Sequence, residues 1–573
     1  MKNWQSYLPL LGILRRYQRD DFSHDLVAGL VVGVVTVPQA IAYAFLAGLP
    51  PQAGLYACLA PMVIYAVLGS SRHLVVGPVA VAALMVAATV GKYAPQHSDA
   101  YLGITTVLCL QVGIILWLLR LTQMGGVVNL LSHPVITGFI NAAALLIIVS
   151  QLNAFTGIAA TEATDPFARA WALLTHLDSL NLMTLAIGVG SVLLLWAVRH
   201  FGVRLVRLVI PSLSLENPIA RTGPVLVAVL GVVIVSVADL DVLYGVATVG
   251  FVSSGLPELT IPPFDLDLWL DLAPASAMIA LVAFVESYSV GTSLATRQRT
   301  RLNSHQELIA LGAANIGAAF TGAYPVAGSF SRSSINYQAG ARTPVSSLVC
   351  MVVIVLTLLF FTPLLANLPQ ATLAAIVMVS VVGLMDTRSI VRHWKIYRQD
   401  SITEIVTLLT VLAFSVQAGL ITGVVLSIAF FVRRSSRPHI MLVGRIVNTE
   451  HFRAVKRYDV ETHEHVAAIR IDENLYFANA NNIESKLQKI VQRRQHTRHV
   501  LLVCSSVNFI DISGIEMLAR FNDNLRQLGV ELHLSDVKAP VMAQLELGQF
   551  TAALSGSVFF TTDQAMRDLA ERS

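Results

Sequence analysis

Long apolar runs separated by short polar stretches fill the first three quarters of the chain. Seven lie near 26–47, 54–69, 74–91, 101–120, 131–156, 181–201 and 222–238. Seven more lie near 273–296, 306–323, 326–341, 344–362, 369–385, 401–417 and 418–433. A helix of about twenty apolar residues crosses the hydrocarbon core of a bilayer, so the pattern predicts an α-helical polytopic membrane protein of 14 spans. The third and tenth runs are short and interrupted. Broken spans at matching places in two halves point to a 7+7 inverted repeat with its binding site near the membrane midplane.

The tenth run carries the most chemistry. Tyr324-Pro-Val-Ala-Gly-Ser-Phe-Ser-Arg-Ser-Ser-Ile-Asn336 mixes Pro325, Gly328, several hydroxyl groups and the cation Arg332. Pro and Gly interrupt a membrane helix, and an unpaired Arg at membrane depth is costly. A half-helix starting inside the membrane accommodates all of these. Its free N–H groups and positive dipole end face a cavity, with Ser329 and Ser331 as further donors. The third run holds Gly77-Pro78, and Pro suits the first turn of a helix. Two facing half-helices would make a compact anion site; the competing reading is a plain proline kink.

Composition agrees with a membrane class: 55% of the 573 residues are hydrophobic and 13% charged, against about 25% charged in soluble domains. The net charge of +4 is small, and its placement is more informative. With the N-terminus inside, cytoplasmic loops carry Arg72, Arg120, Arg199, Arg297, Arg299, Arg301, Arg342 and Arg388, while external loops hold little beyond Lys92, Arg169 and several acids. This asymmetry orients both termini toward the cytoplasm of an inner (plasma) membrane protein. Residues 1–25 read as a cytoplasmic arm, 26–435 as the transmembrane domain and 440–573 as a soluble domain.

Glu286 is the clearest intramembrane acid, with Ser289 and Ser293 on the same helix face. Burial favours the protonated form of a carboxyl group. Glu286 is therefore either a proton carrier or the static partner of Arg332. Gln39 and Tyr43 share a face of the first run, as ligands, as helix–helix contacts or as cavity wall.

Past residue 440, strands near Val466–Ile471, Val500–Cys504, Glu531–Leu534 and Val558–Phe560 alternate with helices at Ile483–Arg494, Gly514–Leu528, Pro540–Leu547 and Thr562–Glu571. That alternation predicts a small α/β domain. Ser513 with Glu516 reads as a capping box opening its second helix. The four cysteines lie singly in apolar runs and the histidines lack ligand spacing, so no metal site is expected. No phosphate loop, nucleophile elbow or dinucleotide fingerprint appears, so neither an enzyme nor a cofactor-dependent or ATP-driven pump is expected. Nothing points to nucleic acid.

Pro38-Gln-Ala-Ile-Ala-Tyr-Ala44, Pro50-Pro-Gln-Ala-Gly-Leu-Tyr56, Gly69-Ser-Ser-Arg-His73 and Val76-Gly-Pro-Val79 resemble the signature of the SulP sulfate-permease family, and the likeness continues through Asn303, Glu307-Leu308, Asn315 and Ser329–Ser333. The tail around Asp511-Ile-Ser-Gly514 resembles a STAS domain. The resemblance implies an elevator-type transporter in the lipid bilayer, commonly a homodimer. It places the anion site on Gln39, Tyr43, Val79, Ala80, Glu286, Ser329, Phe330, Ser331 and Arg332. It also implies secondary transport of sulfate, with bicarbonate or a C4-dicarboxylate as alternatives. Sodium-coupled members carry an Asp where this chain has Ser289, which leaves Glu286 as the proton-coupling candidate. Ser513 matches a serine phosphorylated in soluble STAS proteins. A passive anion channel, a membrane-tethered signalling protein and a nucleobase carrier are the competing classes.

Overall fold

A computed structural model describes residues 8–122, 132–158, 166–209 and 223–572. The expected run starts at 131 and 222, and the first residues of the arm, fall outside these ranges. The chain divides into two compact units, Met1–Ser427 and Ile428–Ser573.

Each of the fourteen apolar runs carries helix in the structure. In chain order these helices are α1 (Arg19–Leu46), α2 (Ala60–Leu68), α3 (Ala80–Val90), α4 (Asp99–Leu121), α5 (His133–Thr156), α6 (Leu182–Val209) and α7 (Gly223–Ala238). The second set is α8 (Leu266–Arg297), α9 (Ser304–Phe320), α10 (Phe330–Gln338), α11 (Val345–Leu356), α12 (Gln370–Val382), α13 (Arg398–Ala413) and α14 (Val416–Ser435). Among the described residues, eight helical stretches are long and apolar enough to cross a membrane.

Several boundaries differ from the hydropathy pattern for identifiable reasons. The second run is split, with a short helix Pro51–Tyr56 ahead of α2, and each piece opens on a proline. Helix α8 starts seven residues earlier than its apolar run because Asp265 caps it. The Asp265 carboxylate accepts from the N–H groups of Asp267 and Leu268 at 3.0 and 3.4 Å. Asp265 and Asp267, read from the sequence as loop acids, are the cap and first-turn acid that suit the positive end of a helix.

The helices of the first unit pack as two groups. In one, α1 lies against α11, α9 against α2 and α4, and α8 against α4. Gly113 of α4 and Gly312 of α9 face one another so closely that a Cβ on either would lie within 3.0 Å of the other's carbonyl oxygen. In the second group, α5 packs on α12 and α13, and α6 on α7 and α12. The buried Glu404 of α13 pairs there with His393 Nδ1 at 2.7 Å and accepts the Ser389 hydroxyl. The groups meet where α1 touches α7 and α12 and where α3 touches α5.

The second unit holds a six-stranded mixed sheet built from β3 (Ile440–Arg445), β4 (Phe452–Ala454), β5 (Val466–Ile471), β6 (His499–Val503), β7 (Glu531–Ser535) and β8 (Val558–Phe559), in the order β4-β3-β5-β6-β7-β8. The strands β5 through β8 pair in parallel, as strand–helix alternation requires, while β3 and β4 add an antiparallel edge that the sequence reading missed. The expected capping box at Ser513 is corrected. The second long helix of this unit runs Ile512–Gln527, and its cap is Asp511, which accepts the Gly514 N–H at 2.8 Å. Ser513 sits inside the first turn, because the helix begins two residues earlier than a cap at Ser513 would require.

Candidate anion site

Two short strands, β1 (Val76–Gly77) and β2 (Ala327–Gly328), form the centre of the first unit. They pair antiparallel, Val76 with Gly328 and Gly77 with Ala327. Helix α3 begins just after β1 and α10 just after β2, so pairing the strands brings the two helix N-termini together. The first N–H groups of a helix have no intrahelical partner, and each N-terminus carries about half a positive charge. The broken third and tenth runs are therefore half-helices, not kinks.

Neighbouring side chains hold this crossing in place. Ser329 donates its N–H to Val75 O at 3.0 Å, and its hydroxyl accepts from Arg332 N at 3.5 Å, capping α10. Val75 N donates to the Ser333 hydroxyl at 2.9 Å. Gly328 N donates to the Ser287 hydroxyl at 2.7 Å, fastening β2 to α8. Asn315 of α9 accepts from Val326 N at 2.9 Å and donates to Val326 O at 3.1 Å, so its amide acts as a substitute strand.

Arg332 is completely buried. Its Nη2 donates to Pro78 O at 2.6 Å, while Nε and Nη1 have no partner among the described residues. A Cβ at Gly77 would come within 3.1 Å of Nη1, so glycine there lets the guanidinium lie against β1. Glu286 lies in the second half of α8, half-buried, and forms no ion pair with Arg332 or with any other described residue. Val79, Ala80 and Ser329 are buried, Ser331 is half-buried, and Phe330 is 46% exposed at the site's opening. Gln39 and Tyr43 are buried on α1, which packs against both α3 and α10; Tyr43 lies in the field of both Arg332 and Glu286.

The structure thus gathers Gln39, Tyr43, Val79, Ala80, Glu286, Ser329, Phe330, Ser331 and Arg332 around one pair of helix ends. Arg332 lies behind those ends rather than at the opening. Ser289 and Ser293 are exposed, and Ser513 belongs to the other unit. Ser287, which the sequence reading passed over, is the hydroxyl of α8 that touches β2. A serine beside the one acid in the apolar stretch that follows Asp271 was the available signal.

In the second unit, His499, Glu531 and His533 converge, with ligand atoms within 4.8 Å of one another. The Ser557 N–H donates to His533 Nδ1 at 3.0 Å, so in neutral His533 the proton sits on Nε2, the atom facing His499 and Glu531. That nitrogen has no lone pair for an ion, and the cluster does not fit a metal site.

The sulfate permease family model matches residues 22–407, and the STAS domain model matches 457–565. This chain belongs to the sulfate permease family. It is therefore a transporter rather than an enzyme, and the family's activity is anion transport across a membrane. A probable sulfate transporter 4.2 of Arabidopsis thaliana is 33% identical over 550 residues, covering 94% of this chain and 80% of the relative. A probable sulfate transporter of Mycobacterium tuberculosis is 30% identical, covering 96% of this chain and 95% of the relative. In fold, the chain is similar to the murine solute carrier 26 family member A9 anion transporter in its inward-facing state. The TM-score is 0.91 at 24% identity, over 100% of this chain and 95% of that one. The transmembrane domain of a cyanobacterial bicarbonate transporter matches with a TM-score of 0.59 at 20% identity, over 71% of this chain and 98% of that one.

Proposed function

We propose that this protein is a secondary active transporter that carries sulfate together with a proton. The anion sits at the N-termini of α3 and α10, contacted by Gln39, Ser329, Phe330 and Ser331, with Tyr43, Val79 and Ala80 as the cavity wall. Arg332 supplies positive charge from behind and Glu286 takes up the proton. The protein works as a homodimer in the inner membrane with both termini in the cytoplasm.

The observation that carries this reading is the unpaired charge of Arg332. A buried cation without a carboxylate is costly, and here it backs two helix ends of the same sign. At about 7 Å and an effective dielectric of about 20, such a charge attracts a monovalent anion by roughly 2 kcal/mol, and a divalent one by about twice that. This favours sulfate over monovalent competitors, in keeping with the names of the relatives. Glu286, which forms no ion pair among the described residues, can gain and lose a proton without breaking a salt bridge.

The test is uptake into proteoliposomes of purified protein, with sulfate, bicarbonate and fumarate in parallel, each with and without an inward proton gradient and with and without sodium. Sulfate accumulation above equilibrium only under the proton gradient is expected. Glu286→Gln should abolish that accumulation while leaving sulfate binding intact. Flux that merely equilibrates under every gradient would establish a passive pathway instead, and accumulation of bicarbonate or fumarate alone would reassign the substrate.

A further inference from the structure

The end of the first unit where α1 begins carries a cavity of about 170 Å³. The Ser70–His73 loop, which leads into β1, forms one wall, and the last turn of α8 with Gln298 and Thr300–Leu302 forms the other. Arg72 and Arg301 both line it. With Arg297 and Arg299 beside them, four exposed guanidinium groups crowd this corner, and none has a carboxylate within ion-pair distance among the described residues. Glu307, which is bonded to Ser70 of this wall, is wholly buried and already accepts from Tyr65 Oη, Ser70 N and Ser70 Oγ at 2.7, 2.9 and 2.7 Å. It is not part of the lining.

The lining is also supplied with donors. The Ser71 hydroxyl accepts from Leu74 N at 3.3 Å, leaving its own proton to donate. His73 lines the cavity with its Nε2 donating to Ala341 O at 2.8 Å, so it helps to shape the wall. The second wall is made by a costly turn: Arg299 ends α8 at φ +56°, where glycine is usual, and Thr300 N returns to Ala295 O at 2.9 Å. A cavity of 170 Å³ equals five or six waters at about 30 Å³ each and is too small for a nucleotide.

We infer that this cavity is a second anion site, which binds one tetrahedral oxyanion between Arg72 and Arg301, either free or as the phosphate of a lipid headgroup. It is separate from the site at β1 and β2: Leu294 lies eight residues beyond Glu286 along α8, or about 12 Å at helical rise. Occupancy would tie the loop leading into β1 to the end of α8, the two elements that carry Gly77 and Glu286. The bound ion thereby regulates transport from the cytoplasmic face. The binding site stands whichever anion is transported.

The test uses the full-length protein in detergent. Thermal unfolding is followed against inorganic phosphate at constant ionic strength, and separately against a short-chain phosphoinositide. Wild type should show a saturable rise in Tm, R72Q/R301Q should need at least tenfold more ligand, and R72K/R301K should retain part of the response. A response to phosphate assigns a free oxyanion, and one confined to the phosphoinositide assigns a lipid headgroup. Binding that persists unchanged in R72Q/R301Q belongs to the other anion site and overturns the inference, as does the absence of a saturable response in wild type. If the double variant does not fold, R301Q alone must show the tenfold loss.

Discussion

Arg332 of α10 donates to the carbonyl oxygen of Pro78, 2.6 Å away and 254 residues earlier in the chain. This bond joins the first turn of one half-helix to the residue just ahead of the other. It holds a full positive charge at the point where two partial ones meet, and that arrangement determines how substitutions at the site will behave.

Arg332→Met should separate stability from binding. Replacing a buried, unpaired charge by an apolar side chain of similar length leaves stability unchanged or raises it by about 1–4 kcal/mol. Losing the charge should weaken anion binding at least tenfold. Thermal unfolding and sulfate binding on the same preparation check this. A parallel fall in both would mean that the residue is only a brace.

Gly77→Ala tests the same contact from the other side. The new Cβ would lie 3.1 Å from Nη1 and 3.3 Å from Nη2 of Arg332. Displacing the guanidinium within a packed interior costs about 1–3 kcal/mol. Uptake should fall, and the Tm should drop by a few degrees. Gly245→Ala has open space around it but a positive φ, and offers a comparison in which backbone strain acts without that clash.

The two helix groups are also joined near the opposite end of the unit, where Gln417 Nε2 donates to Thr89 Oγ1 at 3.1 Å beside a cavity of about 700 Å³. Removing one such bond changes an equilibrium by about 0.5–1.5 kcal/mol, or roughly two- to twelvefold. In Gln417→Ala or Thr89→Val, a cysteine placed at Ala88, which lines that cavity, should react faster with an impermeant thiol reagent. The double variant should add nothing beyond either single one. Additive effects would show that the bond does not restrain the two groups.

His533 makes the second unit acid-sensitive. Burial, and then the neighbouring His499, push its imidazole down to about 4. The group is neutral in both folded and unfolded chains above pH 6.5, so it does not alter stability there. Below that, the unfolded chain binds the proton first, and stability falls progressively until the folded group titrates near pH 4. A protonated Nδ1 would also face the Ser557 N–H that now donates to it at 3.0 Å. Hydrogen exchange in the intact protein, corrected for intrinsic rate, should show Ser557–Phe559 losing protection between pH 6.5 and 4. His533→Gln should flatten that dependence.

The sequence by itself determined the membrane class, the two sets of seven apolar runs, the half-helix breaks at Gly77-Pro78 and Gly328-Ser329, and the parallel strands of the second unit. These features follow from local rules: hydrophobic length, helix-breaking residues, and the alternation of strand and helix periods. Tertiary structure alone decided what the charges do. Glu286 and Arg332 could have paired, and no local pattern excludes it, but packing separates them and gives Arg332 a backbone carbonyl instead. Ser287 matters only because β2 passes within reach of it, and Asp511 rather than Ser513 caps its helix because the chain approaches extended. The strands β3 and β4 were illegible because they are held by antiparallel pairing, β3 with β5 and β4 with β3, rather than by a hydrophobic period of their own. Contacts between residues more than two hundred positions apart depend on how the helices cross, and a single sequence carries no local record of that.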